Sequence, residues 1–310
     1  MTKYKVLKWF GENIWIFLTG SLFLGLLFPI FRIFKPYISY FLMIVLYVTF
    51  LNVEFKNITT YIKKPFLILY YIVINMVVSP LLLYLLFSFF TKNYAILSAV
   101  VILALVPSGV AASAMTDISG GDTGLTVILT ILSHLAAIIL IPFMFFVIFR
   151  KSIDLDYYTI LLDVTKLIGI PLVLAIVSNI LFKEKVNFLK RNVKFFTVIP
   201  LVFVIAAIMA VNSTYLKRNP YEVLIYLLIL YITFIFSQYF SFTTAYFLDL
   251  KQRIAVSNAK TFSNIALALV VASKYLSPET TLIVALSQIP WPTMLISLRI
   301  MLRIFSKNKL

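Results

Sequence analysis

Two apolar stretches of the chain, 95–117 and 253–275, change character near the middle, where an uninterrupted helix would keep its apolar side chains. The first contains Pro107, Ser108 and Gly109. Proline has no backbone N–H, so carbonyls one turn before Pro107 lose their helical donors. The second contains a series of polar residues: Ser257, Asn258, Lys260, Thr261, Ser263 and Asn264. At membrane depth such groups must line a cavity or the protein interior, so both breaks are predicted to hold an ion or a solute.

The composition is that of an integral membrane protein. Of 310 residues, 62% are hydrophobic and 12% are charged, and the mean hydropathy is +1.04; these values lie outside the range of soluble globular domains. The absence of cysteine excludes disulfides, iron–sulfur clusters and thiolate metal sites. The formal net charge of +16 is spread over the connections between apolar segments, so it does not indicate a nucleic-acid partner.

Ten segments are apolar over about 20 residues, the length needed to cross a bilayer. They are 13–31, 37–53, 66–90, 95–117, 123–149, 157–182, 194–213, 221–248, 253–275 and 279–304. The first is long enough to be a span, so no cleaved signal peptide is expected, and the short connections leave no room for a soluble domain. Lys and Arg are concentrated in connections on the side of the amino terminus. This bias predicts a multi-pass protein of the cell (plasma or inner) membrane with both termini in the cytoplasm.

The two halves of the chain correspond to each other. Lys64-Pro65 before the third span matches Asn219-Pro220 before the eighth, and T-V-I-L-T-I-L-S-H (126–134) is similar to T-T-L-I-V-A-L-S-Q (280–288). Five spans per half make the repeats inverted. We therefore predict an all-α polytopic membrane protein of ten transmembrane helices in two inverted five-helix repeats, 1–155 and 156–310. Its discontinuous helices 4 and 9 cross near the midplane, as in transporters that alternate access around a fixed site.

A longer motif adds a family resemblance. The run V-P-S-G-V-A-A-S-A-M-T-D-I-S-G-G-D-T-G-L-T-V-I-L-T (106–130) resembles the fourth and fifth spans of the bile acid:sodium symporter family, with Met-Thr, Gly-Asp and paired hydroxyls in register. Similar short motifs are F-L-N-V-E-F (50–55), N-M-V-V-S-P (75–80) and N-I-A-L-A-L-V-V-A (264–272). The resemblance covers nearly the whole chain. It implies a panel domain of spans 1, 2, 6 and 7 and a core domain of spans 3–5 and 8–10.

The resemblance also implies a cargo and its ligands. Family members carry an organic anion with sodium, so we expect a small bile-acid-like, keto-acid or vitamin-like carboxylate as substrate, with no cofactor beyond the sodium ion. The predicted ion-binding residues are Ser113, Thr126, Thr130, Asn75, Asn258 and Ser263. The predicted substrate-binding residues are Pro107, Ser108, Gly109, Lys260, Asn264, His134 and Gln288. Positive half-helix amino termini near Ser108 and Phe262 are expected to face the substrate or its ions.

The ninth span departs from the family pattern. Where the family has an acidic residue shared by two ions, this chain has Asn258 or Ala259, followed by Lys260. A sodium ion taken out of water needs several oxygens and usually one negative charge, so sodium coupling is in doubt. The Lys260 ammonium is a candidate replacement for a bound cation and for attraction of an anion. The alternatives are proton coupling through Lys260 and a side chain that extends to the interface near Arg253.

Several predicted site residues have purely structural alternatives. Asn258 and Asn264 are also suited to join helices, and the hydroxyls of Ser113, Thr126 and Thr130 to bond to their own helices. His134 and Gln288, which correspond in the repeat, are also typical packing hydrogen-bonders. Asp163 and Lys166, three residues apart, are expected to pair. Gly120, Gly121 and Asp122 predict a turn and a helix cap.

Three classes of function fit the chain. No catalytic motif is present, so an enzyme is not expected. A monomeric secondary transporter in membrane lipid, coupled to sodium or protons, is favoured by the broken helices and the repeat. The alternatives on the same fold are a metalloid efflux permease of the arsenite type and a non-transporting membrane sensor.

Overall fold

The computed structural model describes residues 14–51, 65–109, 111–149 and 157–307. In this part of the chain the regular structure is helical, with one isolated bridge between Ser108 and Ser263. The motif 50–55 lies largely outside the described residues. The helices in the first half are α1 (Ile14–Leu27), a 3₁₀ helix (Pro29–Tyr37), α2 (Ile38–Leu51), α3 (Pro65–Ser88), α4 (Tyr94–Leu105), α5 (Ala111–Ile118) and α6 (Thr123–Phe149).

The second half continues with nine α-helices in the described residues. They are α7 (Tyr157–Leu181), α8 (Lys183–Arg191), α9 (Val193–Val211), α10 (Ser213–Arg218), α11 (Pro220–Thr244), α12 (Leu250–Thr261), α13 (Ile265–Tyr275), α14 (Pro278–Leu286) and α15 (Pro290–Lys307).

Helix length and apolarity show a multi-span membrane protein. Among the described residues, six helical segments are long and apolar enough to cross a bilayer, and α14 with α15 forms a seventh if their 46° bend is counted within one span. Large apolar side chains such as Phe23, Phe66, Ile139 and Leu224 are exposed on the outside, where lipid would cover them. The all-helical class is confirmed, whereas the number ten and the inverted repeat stay predictions.

The first predicted span differs from its expected extent. We expected it to reach residue 31, but α1 ends at Leu27 and the chain continues as a 3₁₀ helix into α2. Pro29 begins that 3₁₀ helix and Pro36 lies inside it. Because proline cannot donate to an earlier carbonyl, the two prolines interrupt regular α-helical bonding here.

The helices pack in two groups. One contains α1, the 3₁₀ helix, α2, α7 and α9; the other contains α3–α6 and α11–α15. The groups meet where α6 contacts α7, α9 contacts α14 and α2 contacts α13. We call the boundary along these contacts the seam between the groups.

The broken helices form the centre of the second group. Residues 95–105 of α4 and 265–272 of α13 are all buried, so apolar neighbours surround both helices. The polar backbone at their ends is therefore enclosed by protein, as we expected for the breaks.

The start of α6 follows its sequence signal. Gly120 has a φ of 71°, a left-handed conformation that glycine adopts without a Cβ penalty. The Asp122 carboxylate then accepts a bond from the Leu125 N–H at 2.9 Å. The predicted turn and cap are confirmed.

Candidate functional site

The two helix breaks contact each other directly. The Gly109 N–H donates to the Phe262 carbonyl at 2.8 Å, and the Asn264 N–H donates to the Pro107 carbonyl at 2.7 Å. These bonds form the antiparallel bridge between Ser108 and Ser263. Two interrupted helices thus exchange backbone bonds at their breaks, in the protein interior.

Residue 109 must be small for this contact. A Cβ at Gly109 would lie 2.8 Å from the Phe262 carbonyl oxygen and 3.0 Å from that of Ser263. Separations this short require the backbone to move. Glycine therefore allows the two breaks to approach closely enough to bond.

The half-helices begin later than the sequence suggested. We expected their amino termini near Ser108 and Phe262, but α5 begins at Ala111 and α13 at Ile265. The bridge accounts for this, because backbone groups of Pro107, Gly109, Phe262 and Asn264 bond between the two segments.

Pro107 releases the carbonyls that the sequence predicted. It has no N–H for the Leu103 carbonyl, which instead lies 3.5 Å from the Ser263 hydroxyl. The next N–H, of Ser108, donates to the Ser133 hydroxyl at 3.2 Å. The Ala104 carbonyl is therefore left without its usual helical donor.

A second carbonyl is released in α3, whose middle section, Tyr71–Val78, is a π-helix. The Ser79 N–H donates to the Ile74 carbonyl, and Pro80 has no N–H to give. The Asn75 carbonyl consequently has neither an α-helical nor a π-helical donor. Such π-helical turns frequently occur at functional sites.

The Lys260 ammonium donates to both of these carbonyls, Asn75 and Ala104. The Lys260 residue is 5% exposed, so its side chain does not extend to the interface. No carboxylate of the described residues forms an ion pair with it. The Lys260 side-chain nitrogen thus lies between α3, α4 and α12, beside the bridge.

Hydroxyl groups line the other side of the first break. Thr130 Oγ1 lies 2.9 Å from Ser108 Oγ, and Thr126 Oγ1 lies 3.0 Å from Thr116 Oγ1. Thr116, Thr126 and Thr130 also bond to carbonyls one turn earlier in their own helices. We call Ser108, Thr116, Thr126, Thr130 and Ser133 the hydroxyl cluster.

His134 connects the hydroxyl cluster to the second break. Its Nδ1 lies 2.7 Å from the Thr130 carbonyl, and its Nε2 lies 3.0 Å from the Asn264 side-chain nitrogen. A carbonyl only accepts, so Nδ1 carries the proton and Nε2 accepts from Asn264. The Asn264 oxygen caps α13 by accepting from the Leu267 N–H at 3.1 Å. Nδ1 thus anchors the ring to α6, and Nε2 orients Asn264.

Other buried polar atoms of α3, α11 and α12 have no partner among the described residues. Both polar atoms of the Asn258 side chain are of this kind, as are Asn75 Nδ2, Ser79 Oγ and Gln238 Oε1. The Asn75 side-chain oxygen accepts a bond from Ser241 of α11. Buried polar groups normally find partners, so these atoms are suited to bind a ligand.

The chain matches a known family over more than half of its length. Residues 39–219 match the model of the Sodium Bile acid symporter family. The chain belongs to this family. It is also similar to the Uncharacterized sodium-dependent transporter YocS of Bacillus subtilis (strain 168), at 20% identity over 216 residues, which cover 69% of this chain and 67% of that protein.

Membership of the Sodium Bile acid symporter family confirms two expectations. Its members are transporters and not enzymes, and the resemblance drawn from residues 106–130 identified the same family. The matched range includes the first break and the hydroxyl cluster.

The remaining predicted site residues of this family member are Ser113 and Gln288. Ser113 is partly buried on α5, which packs against α6 and α12. Gln288 is buried at the bend between α14 and α15. Three polar residues at the centre were not predicted: Thr116, Ser133 and Ser241. The sequence did contain an indication of Ser133, because this residue lies about one helical turn after Thr130 in the motif 126–134.

One predicted pair is wrong. Asp163 does not pair with Lys166, but forms an ion pair with Lys274 and accepts a bond from the Tyr275 hydroxyl. The partners lie at the end of α13, so this contact joins the two helix groups. Sequence spacing within α7 gave no information on that tertiary neighbour.

A cavity of about 250 Å³ lies beside this contact, on the seam between the groups. Its polar lining residues are Lys35, Ser39, Asn212, Ser273, Lys274 and Thr281. Helix α13 connects the two places, because it starts at the bridge and its last turn lines the cavity. The bridge and the cavity are therefore separated by the length of α13, about 15 Å, since each residue of a helix adds about 1.5 Å.

Proposed function

We propose that the protein is a secondary active transporter that moves a small organic anion together with sodium by alternating access. The observation that carries this proposal is the bonded pair of helix breaks with unpaired polar atoms around it. Discontinuous helices that expose backbone inside a membrane protein are the usual construction of a transporter binding site.

Charge supports an anionic substrate. The Lys260 ammonium has no carboxylate partner in the described residues, and the amino termini of α5 and α13 face the bridge with their positive dipole ends. Lys35 lines the cavity at the other end of α13, where Lys274 is paired with Asp163. The positive charges of Lys260 and Lys35 therefore favour an organic anion, which suits a carboxylate of the bile-acid, keto-acid or vitamin type.

Oxygen atoms support a sodium site. The hydroxyl cluster, with Ser113 nearby on α5, offers the neutral oxygen ligands that a hard cation takes, and the unpaired Asn258 oxygen adds one more. The relative from Bacillus subtilis is named a sodium-dependent transporter. The predicted ligands Asn75 and Ser263 lie on the Lys260 side of the bridge, where the ammonium already supplies a positive charge.

The packing of the helices in two groups supports a rocking motion. The group of α1, α2, α7 and α9 corresponds to the panel domain, and the group of α3–α6 and α11–α15 to the core domain. Rocking of the panel against the core would expose the bridge to each side in turn. The inverted repeats 1–155 and 156–310 would give the two exposed states similar energies, with both termini in the cytoplasm.

Reconstitution into proteoliposomes tests the proposal. A set of bile-acid-like, keto-acid and vitamin-like carboxylates is first screened for thermal stabilisation of the protein in sodium and in choline buffer, because a ligand of the folded state raises its stability. The stabilising anion should then accumulate in a saturable way when an inward sodium gradient is imposed. Binding without any flux would favour a sensor instead, and flux of arsenite without carboxylate flux would favour a metalloid permease.

A further inference from the structure

The Lys260 ammonium fills a position that has the chemistry of a cation site. Its two acceptors are backbone carbonyls from different helices, Asn75 of α3 and Ala104 of α4. Each lacks its helical donor for a separate reason. In α3 the Ser79 N–H bonds to Ile74 in a π-helical turn and Pro80 has no N–H. In α4 the helix ends before Pro107, and the Ser108 N–H bonds to the Ser133 hydroxyl. Two independent interruptions thus direct carbonyl oxygens at one point.

Converging carbonyl oxygens are the groups with which proteins replace the water around an alkali cation. An ammonium meets the same requirement, because it brings one positive charge and three N–H donors. Lysines inside membrane spans pair with other charged residues or with backbone carbonyls. In the described part of the chain Lys260 has no carboxylate partner, and its bonds are to these two carbonyls.

We propose that Lys260 is a tethered cation that occupies an alkali-metal position between the Asn75 and Ala104 carbonyls, so this position takes no sodium in the natural protein and becomes a sodium site when the side chain is shortened. The proposal rests on the proposed transport function only for its consequence: each transport cycle would carry one sodium ion fewer than if this position bound sodium. The occupancy of the position itself is a property of the folded protein.

Thermal melting of the purified full chain tests the proposal without transport. Melting temperatures are measured in sodium chloride, choline chloride and choline chloride with added ethylammonium, for the natural protein, Lys260→Ala and Lys260→Met. Lys166→Ala, which removes an exposed lysine in α7, is the matched control. Lys260→Ala leaves an open space before the two carbonyls, whereas the methionine of Lys260→Met fills it without charge.

The expected result is a sodium-dependent rise of the melting temperature in Lys260→Ala that exceeds the rise in the natural protein, and a similar rise with ethylammonium. Lys260→Met and Lys166→Ala should show no added dependence. If Lys260→Ala folds only with sodium or ethylammonium, the proposal is supported. It is overturned if neither cation stabilises Lys260→Ala beyond the natural protein, or if Lys260→Met responds equally.

In proteoliposomes, the Hill slope for sodium should rise by about one in Lys260→Ala, since one more ion then binds cooperatively with the substrate. An unchanged slope, with the added melting response absent, contradicts the tethered cation while leaving the transport function intact. Lack of transport in the natural protein, by contrast, would refute the proposed function and leave the melting experiment valid.

Discussion

At the scale of residues, Pro107 shapes the site through the hydrogen bond that it cannot make. Its missing N–H ends α4 at Leu105 and leaves the Leu103 and Ala104 carbonyls to Ser263 and Lys260. An alanine at this position would supply the absent donor. The consequence is a change in site geometry more than a loss of packing.

We therefore expect Pro107→Ala to reduce substrate uptake about tenfold, equivalent to about 1.4 kcal/mol, while stability changes by less than about 1 kcal/mol. The alanine N–H allows α4 to extend and to close over its own carbonyls. Uptake into proteoliposomes and thermal melting measure the two effects. Pro171→Ala, at a proline inside α7 and away from the bridge, is the control; unchanged uptake in folded Pro107→Ala would contradict this view.

Gly109 gives a second prediction, on stability. Gly109→Ala places a Cβ 2.8 Å from the Phe262 carbonyl oxygen, so the breaks must separate, at an expected cost of about 1–3 kcal/mol. Gly20→Ala in α1 is the matched control, because a Cβ there meets nothing within 4 Å. The experiment compares melting temperatures; equal values for the two variants would show that the bridge tolerates a wider spacing.

At the scale of elements, the sequence predicted interruptions but not pairings. Pro107 with Gly109 marked the first break and the polar run around Lys260 marked the second, because these residue types are unfavourable inside an apolar membrane helix. Residue type alone is not decisive, since Pro142, Pro171 and Pro200 lie inside helices that continue. The π-helical section of α3 and the 3₁₀ helix before α2 were not predicted. The residues of the π-helical section are apolar and suit an α-helix, and only tertiary partners decide which carbonyl each N–H reaches. The 3₁₀ helix had a signal in the sequence, because Pro29 and Pro36 both interrupt α-helical bonding.

For the site, too, the sequence predicted segments but not the contacts between them. The hydroxyls of Thr126 and Thr130 were predicted as ligands from a motif within one segment, and they lie at the first break. Ser241 and the Asp163 partners come from distant segments, for which neither spacing nor residue type gives a signal. Sequence patterns identified the segments of the site, and tertiary packing chose the atoms that meet.

The contact between α7 and α13 yields a prediction on motion between the helix groups. Side-chain exposures of 46% for Lys274 and 22% for Asp163 limit this pair to about 1 kcal/mol or less. Asp163→Asn should therefore leave the melting temperature nearly unchanged and shift the population toward separation of the groups by up to about fivefold.

A cysteine at Thr281 reports this shift, since Thr281 is nearly buried, lines the cavity, and belongs to a chain with no natural cysteine. Its labelling rate by a soluble thiol reagent should rise in Asp163→Asn. Thr165→Ala, at an exposed residue whose hydroxyl bonds to its own helix, is the control on α7 and should have no effect. A labelling rate that is the same in all three backgrounds would show that this contact does not hold the groups together.

At the scale of the whole molecule, the bridge and the cavity have different roles. The bridge lies inside one helix group, where α4, α12 and α13 hold it together, whereas the cavity lies between the groups. A solute at the bridge can reach either side only if the groups move past each other. Transport should then require the two helix groups to move relative to each other, and it should tolerate a cross-link between two residues of the same group.

Cross-linking separates these two cases. Cysteines at Ser39 of α2 and Ser273 of α13 line one cavity from opposite groups, whereas cysteines at Ser39 and Asn212 line it from the same group. Treatment with a flexible bis-maleimide should abolish uptake in the first pair, because it fixes the seam, and should leave most uptake in the second. The single-cysteine variants control for modification alone. Equal inhibition of both pairs would indicate blockage of the cavity, and continued uptake in the cross-linked first pair would mean that the groups need not separate there for the anion to cross.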